Sequence, residues 1–83
     1  MSIEQQVRNY ILENFLFTND ASALANDVSF LEKGIVDSTG VLEMILFLEQ
    51  EFAIKVADSE MVPENLDTVV NIVHYVQSKH VGK

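Results

Sequence analysis

A serine hydroxyl and a carboxylate stand side by side at Asp37-Ser38, in the run GIVDSTGVLEMILFLEQEF over residues 34–52. Most of this run is typical of an amphipathic helix, and the small polar residues Asp37, Ser38 and Thr39 lie where that helix begins. One interpretation is that Ser38 or Asp37 is the N-cap of the helix. The other is that Ser38 is a position at which a chemical group is attached.

The length and composition describe a small protein with a packed core. Eighty-three residues make a single domain, 1–83, and 48% apolar residues suffice for a core. The absence of cysteine excludes a disulfide framework, a thiolate nucleophile and a cysteine metal site. No apolar run approaches the ~20 residues that span a bilayer, and the polar start MSIEQQVRNY is unlike a signal peptide. We expect a soluble, cytoplasmic protein with no membrane insertion.

The charge balance is strongly acidic. Thirteen acidic residues and five basic ones give a formal net charge of −8. This charge excludes nucleic acid as a partner, because its phosphates would be repelled, and it disfavours an anionic membrane for the same reason. Basic protein surfaces are the natural complement.

Amphipathic stretches predict an all-α fold, a small antiparallel four-helix bundle with three long helices and one short one. The predicted helices are Ile3 to about Phe17, Ser38 to about Phe52, Asp58 to Val62, and Asp67 or Thr68 to about His80. Pro63 is expected to end the short helix. Phe30 and Leu31 are expected to anchor the long first connection to the core.

The helix that begins near Ser38 has more apolar surface than one face can bury. Its first apolar stripe consists of Val41, Ile45, Leu48 and Phe52. A second stripe, Leu42 and Leu46, is rotated by roughly a quarter turn. The second stripe is flanked by Glu43, Glu49 and Gln50. Leu42 and Leu46 are therefore either further core residues or the centre of a partner-docking face with an acidic rim.

At this point the chain resembles the acyl carrier proteins, a class that includes peptidyl and D-alanyl carrier proteins. The resemblance lies in Gly34-Ile35-Val36-Asp37-Ser38, in Phe30 eight residues before Ser38, and in Glu49-Gln50-Glu51-Phe52. It extends over nearly the whole chain. It implies that Ser38 carries 4′-phosphopantetheine, transferred from coenzyme A by a phosphopantetheinyl transferase. It further implies that the thiol of this arm holds an acyl or aminoacyl group as a thioester, and that the carrier itself is not an enzyme.

Physical arguments agree with what the resemblance implies. A phosphodiester at a helix N-terminus meets free backbone N–H groups and the positive end of the helix dipole. Asp37 would stay ionised beside the attachment site, available to a base or a metal-bound cofactor on the transferase. The expected partner-binding residues are Thr39, Leu42, Glu43, Leu46, Glu49, Gln50 and Glu60.

Several residues depart from the fatty-acid type of carrier. Thr39 replaces the usual leucine, Phe47 replaces a small residue, and Gln50 replaces an acid. Gly40, in the first helical turn, is expected to loosen the helix by up to ~1 kcal/mol. We expect a stand-alone, monomeric, specialised carrier for a dedicated pathway. Its partners would be an acyl- or aminoacyl-activating ligase and downstream acyl-transfer enzymes with basic docking surfaces.

Two other function classes compete with a carrier. An enzyme with Ser38 as nucleophile would need a nearby base, and neither His74 nor His80 is obviously placed to serve. These histidines are six residues apart, whereas metal-binding pairs on a helix favour a spacing of four, so no metal site is expected. The alternative is an acidic helical adaptor without a prosthetic arm, in which Ser38 is a cap or a phosphorylation site.

Overall fold

A computed structural model describes residues 2–81, and every regular element in that range is helical. The main helices are α1 (Ile3–Ile11), α2 (Ser38–Phe52), α3 (Pro63–Leu66) and α4 (Val69–Val81). Short 3₁₀ turns cover Ala21–Ala23 and Asp58–Glu60. The predicted all-α bundle with three long helices and a short one is thereby confirmed.

The first helix changes its winding before it ends. Ser2 caps α1 by accepting a hydrogen bond from the backbone N–H of Gln5 at 3.1 Å, and Leu12–Leu16 continue α1 as a π-helical turn. At Phe17 the backbone adopts the left-handed conformation, with φ of 55°, and its N–H bonds to the carbonyl of Leu12. The predicted end near Phe17 is confirmed, although the last turn is wider than an α-helical one.

Arg8 ties the first half of the long connection between α1 and α2 to α1. Arg8 donates hydrogen bonds to the carbonyl oxygens of Leu24 at 2.8 Å and Ala21 at 2.7 Å, and to the side chain of Asn26. Leu24, which the sequence analysis did not single out, is buried in the core. Two backbone carbonyl oxygens and one side-chain amide oxygen of the loop thus replace water around the guanidinium group, which ties the loop to α1.

Phe30 and Leu31, both in this connection, differ in burial. Phe30 is fully buried, as expected, and its N–H donates to the carbonyl of Asp67 at 2.8 Å. Leu31 was expected in the core, and this prediction is wrong because the side chain is 50% exposed. The Asp67 carboxylate accepts hydrogen bonds from the Leu31 N–H, at 3.0 Å, and from the Ser29 hydroxyl. These bonds fix the backbone of the turn and leave the leucine side chain at the surface.

The core side of α2 packs against the remaining helices. Its buried apolar side chains are Met44, Ile45, Leu48 and Phe52. Phe47, unusual for the fatty-acid type, stacks on Tyr10 of α1 with ring centroids 4.0 Å apart and planes 10° apart. The bulky residue at position 47 therefore serves the contact between α1 and α2.

The prediction that Pro63 ends a short helix is wrong, because Pro63 begins α3. Proline is favoured at the first position of a helix, where its missing N–H would have no intrahelical partner. Thr68 caps α4 by accepting a hydrogen bond from the N–H of Asn71 at 3.0 Å. The β-branched residues of α4 supply its buried face, and Val69, Ile72 and Val76 are fully buried.

Candidate functional site

Asp37 rather than Ser38 is the N-cap of α2. Its backbone is extended, and its Oδ1 accepts a hydrogen bond from the N–H of Gly40 at 2.7 Å. Ser38 is the first residue inside the helix and is exposed. Among residues 2–81, no hydrogen-bond partner holds the Ser38 hydroxyl. The fold therefore makes no use of this hydroxyl, and Ser38 is accessible at the surface.

The first turn of α2 also presents backbone donors at this position. The N–H groups of Ser38 and Thr39 have no acceptor within the described part of the chain. They lie at the positive end of a fifteen-residue helix. An anionic group on the Ser38 oxygen would meet both the free donors and the helix dipole.

Gly40 fits a close approach between two helices. It is buried, and a Cβ atom at this position would lie 2.7 Å from Cε1 of Phe15 and 3.1 Å from Cγ1 of Val36. The glycine that is expected to loosen the helix is therefore required by packing, because only glycine lets the first turn of α2 lie directly against Phe15.

The outward face of α2 carries the second apolar stripe in the open. Leu42 is 59% exposed and Leu46 is 57% exposed, so the alternative that both are core residues is wrong. Thr39, Glu43 and Gln50 are exposed as well. An apolar pair surrounded by polar and acidic groups is the composition of a docking surface.

Glu49 and Glu60 have internal partners. The Oε2 atom of Glu49 accepts a hydrogen bond from the N–H of Val56 at 2.9 Å, which holds the chain that follows α2. The Oε1 atom of Glu60 accepts hydrogen bonds from the N–H of Ala57 at 2.9 Å, Lys79 Nζ at 2.9 Å and the Tyr75 hydroxyl at 3.0 Å. These bonds lower the pKa of Glu60 to about 2, and the bond from the Ala57 N–H has the largest effect on it.

The same carboxylate affects Tyr75. Burial is the main cause of a strongly raised pKa of the Tyr75 hydroxyl, and the neighbouring Glu60 adds to it. Glu60 thus links the turn before α3 to α4. Partner binding by Glu49 and Glu60 stays a prediction.

An apolar cleft begins at Ser38 and runs between α2 and α3. Its volume is about 220 Å³. It is lined by Leu31, Ser38, Val41, Met61, Val62, Pro63, Leu66 and Asp67. This cleft was not predicted from the sequence, in which its only sign is that Leu31 and Met61 are apolar residues outside the apolar stripes of the three long predicted helices.

Comparison with known proteins decides the family. No protein-family model matches the chain. Acyl carrier proteins from three strains of Buchnera aphidicola subsp. Acyrthosiphon pisum (5A, Tuc7 and APS) are each 30% identical to it over 82 residues. Each alignment covers 99% of this chain and 98% of the relative. The chain belongs to the acyl carrier protein family.

Membership of the acyl carrier protein family gives the chain a carrier role. Acyl carrier proteins are carriers and not catalysts, and the family implies a phosphopantetheine prosthetic group. It also implies a phosphopantetheinyl transferase and acyl-transfer enzymes as partners. The helices described in residues 2–81 are all too short or too polar to cross a membrane.

The two histidines were not expected to form a metal site. His74 is exposed on α4, and the side chain of His80 lies outside the described residues. Within the described range, no cluster of three or more histidine, cysteine or acidic side chains has a geometry that could hold a metal ion. The arrangement around Ser38 thus contains a free hydroxyl, free backbone donors, a neighbouring carboxylate and an apolar cleft.

Proposed function

We propose that this acyl carrier protein is loaded at Ser38 with 4′-phosphopantetheine taken from coenzyme A. The Ser38 oxygen would form a bond to the phosphorus next to the pantetheine, and the bond from that phosphorus to the nucleotide would break. The hydroxyl proton passes to a base on the transferase, and 3′,5′-ADP leaves. The observation that carries the proposal is the exposed Ser38 hydroxyl at the first position of α2, with the capping role taken by Asp37.

The residues around Ser38 fit a phosphorylated arm. The free N–H groups of Ser38 and Thr39 favour the phosphodiester, and Asp37 leaves a carboxylate beside the modified oxygen. When bound, the arm supplies a thiol that holds an acyl or aminoacyl group as a thioester. The apolar cleft that begins at Ser38 offers the arm and its acyl group an apolar surface next to the point of attachment.

The outward face of α2 is the proposed docking surface for partner enzymes. Leu42 and Leu46 supply exposed apolar area, and Thr39, Glu43 and Gln50 surround them with polar groups. The net charge of −8 favours encounter with basic surfaces. Glu49 and Glu60 remain in the proposed face, each with one carboxylate oxygen engaged internally.

We further propose a specialised carrier that serves a dedicated biosynthetic pathway and is fed by an acyl- or aminoacyl-activating ligase. Thr39, Phe47 and Gln50 support this, because they change the contact surface and the helix packing relative to the fatty-acid type. A single domain over residues 1–83, a monomeric state and a cytoplasmic location stay predictions.

The test is direct modification. The purified protein is incubated with coenzyme A, Mg²⁺ and a broad-specificity phosphopantetheinyl transferase, and its intact mass is measured. We expect a gain of one phosphopantetheine that maps to Ser38, is lost in Ser38→Ala and is kept in Ser59→Ala, which removes another exposed serine. No gain with several transferases would contradict the proposal and favour an acidic adaptor without an arm.

A further inference from the structure

Phe17 is exposed in a way that the fold does not require. Of the large apolar side chains in the described part of the chain, it is the most exposed, with 82% of its surface accessible. Its backbone is left-handed, with φ of 55°, a conformation that favours glycine or asparagine at the end of a helix. An aromatic residue is unfavourable in this backbone conformation, and local strain of this kind clusters at ligand and partner sites, which points to a contact outside the chain.

Phe17 borders a groove between the π-helical end of α1 and the start of α2. The groove has a volume of about 320 Å³, and Phe15 and Ile35 contribute apolar side chains to it. Asp37 and Thr39, the two neighbours of Ser38, also line it. We call this the Phe17 groove; it lies beside Ser38 and does not share residues with the apolar cleft between α2 and α3.

The charges around the Phe17 groove have one sign. Asp37 and Glu43 line it, and Glu13 lies next to Phe17 in the adjoining surface cleft. None of the described residues that line the Phe17 groove or the adjoining surface cleft is basic. A complementary occupant is therefore a protein segment with basic residues and an apolar side chain at its tip.

We propose that the Phe17 groove binds a basic, apolar-tipped segment of the phosphopantetheinyl transferase, an inference that rests on the function proposed above. The transferase must bring its reacting atoms to the Ser38 oxygen itself, so it covers the surface on which Asp37 and Thr39 lie. An enzyme that acts at the far end of a long arm has no such constraint. The Phe17 groove is thus a contact of the loading step, on the α1 side of Ser38, in addition to the face formed by Leu42 and Leu46.

The first test compares loading kinetics of Phe17→Asn and the wild type, with a transferase that modifies the wild type. Asparagine tolerates the left-handed backbone, and thermal unfolding confirms that the variant is folded. We expect KM for the carrier to rise roughly tenfold with kcat unchanged, since a buried aromatic contact is lost. Val70→Ala, which shortens another exposed side chain on α4, serves as control. An unchanged KM in Phe17→Asn overturns the inference.

The second test uses charge. Glu13→Gln is expected to raise KM roughly twofold to threefold at low salt and to have no effect at ~0.5 M salt, where exposed pairs are screened. Glu4→Gln changes the net charge equally at the other end of α1. Equal effects of both substitutions would indicate only general attraction by net charge and would overturn the local contact.

The outcomes separate this inference from the proposed function. A wild-type chain that no transferase modifies contradicts attachment at Ser38, and the groove proposal fails with it. A wild-type chain that is modified, with Phe17→Asn and Glu13→Gln indistinguishable from it, leaves attachment at Ser38 intact and contradicts only the role of the Phe17 groove.

Discussion

The ring of Phe15 lies so close to Gly40 that a Cβ atom at position 40 would stand 2.7 Å from Cε1 of Phe15. This contact joins the π-helical end of α1 to the first turn of α2, next to Ser38. A distance below 3.0 Å requires the ring or the helix to move. The position of the candidate attachment site thus depends on a residue with no side chain.

We expect Gly40→Ala to lower the free energy of unfolding by roughly 1–2 kcal/mol through overpacking, although alanine is the better helix former. In a Phe15→Leu background the same substitution is expected to cost clearly less, because the ring is gone while Val36 Cγ1 at 3.1 Å and Asp37 Oδ1 at 3.2 Å still crowd the new methyl group. Urea unfolding of the wild type, the two single variants and the double variant gives the coupling free energy between positions 15 and 40. Equal effects of Gly40→Ala in both backgrounds would show that the contact does not restrict position 40.

The division of roles between Asp37 and Ser38 is open to the same measurement. Asp37→Ala is expected to lower the free energy of unfolding by about 1 kcal/mol, because α2 loses its cap, whereas Asp37→Asn keeps a capping side chain. Ser38→Ala is expected to stay within about 0.5 kcal/mol of the wild type. If Ser38→Ala is as unstable as Asp37→Ala, the assignment of the cap to Asp37 is wrong.

Glu60 gives the protein an acid-sensitive link between the turn before α3 and α4. Its pKa in the folded protein is about 2, lowered mainly by the Ala57 N–H and further by Lys79 and Tyr75. Because the unfolded-state pKa is higher, about 4.3, the stabilisation is complete above that pH. It is lost as the pH falls toward the folded-state value.

We therefore expect the difference in melting temperature between the wild type and Glu60→Gln to be largest above pH ~5 and to shrink toward pH ~2. Tyr75→Phe, which removes one of the three hydrogen bonds, should shift the fall in stability to higher pH. Thermal unfolding by circular dichroism over this range tests both. A difference between wild type and Glu60→Gln that does not vary with pH would contradict the assignment.

Leu46 and Leu48 separate docking from packing on one helix. Leu46 is 57% exposed, so Leu46→Ala should change the free energy of unfolding by less than about 0.5 kcal/mol while raising KM for loading several-fold. Leu48 is fully buried, and Leu48→Ala should cost about 2–5 kcal/mol. Unfolding and transferase kinetics on both variants provide the comparison. Unimpaired loading of Leu46→Ala would remove Leu46 from the docking face.

The long helices could be predicted because their signals are local. The start of α2 at Ser38 and its end at Phe52 follow from a capping residue and an apolar period over fifteen residues. Pro63 has two local meanings, since it ends some helices and begins others. The local sequence does not distinguish the two roles; in the structure Pro63 begins α3, and Leu66 of that helix is buried in the core.

The partners of individual side chains depend on contacts between distant positions. The bonds donated by Arg8 to the Leu24 carbonyl and by Lys79 to the Glu60 carboxylate join residues sixteen and nineteen positions apart. Neither residue type nor spacing indicates such pairs. The exposure of Leu31 has the same origin, because Asp67, far along the chain, fixes the turn that carries it.

The cap of α2 has a consequence for how the protein is handled by enzymes. Because Asp37 closes the first turn and the Ser38 hydroxyl holds nothing in place, a substituent on Ser38 leaves the hydrogen bonds of the helix start intact. The bare and the substituted protein would then share the hydrogen bonds of the helix start, and any difference in their stability would come from contacts of the substituent with the free N–H groups of Ser38 and Thr39. An enzyme that must distinguish the two forms would then recognise the substituent itself rather than a change in the cap of α2.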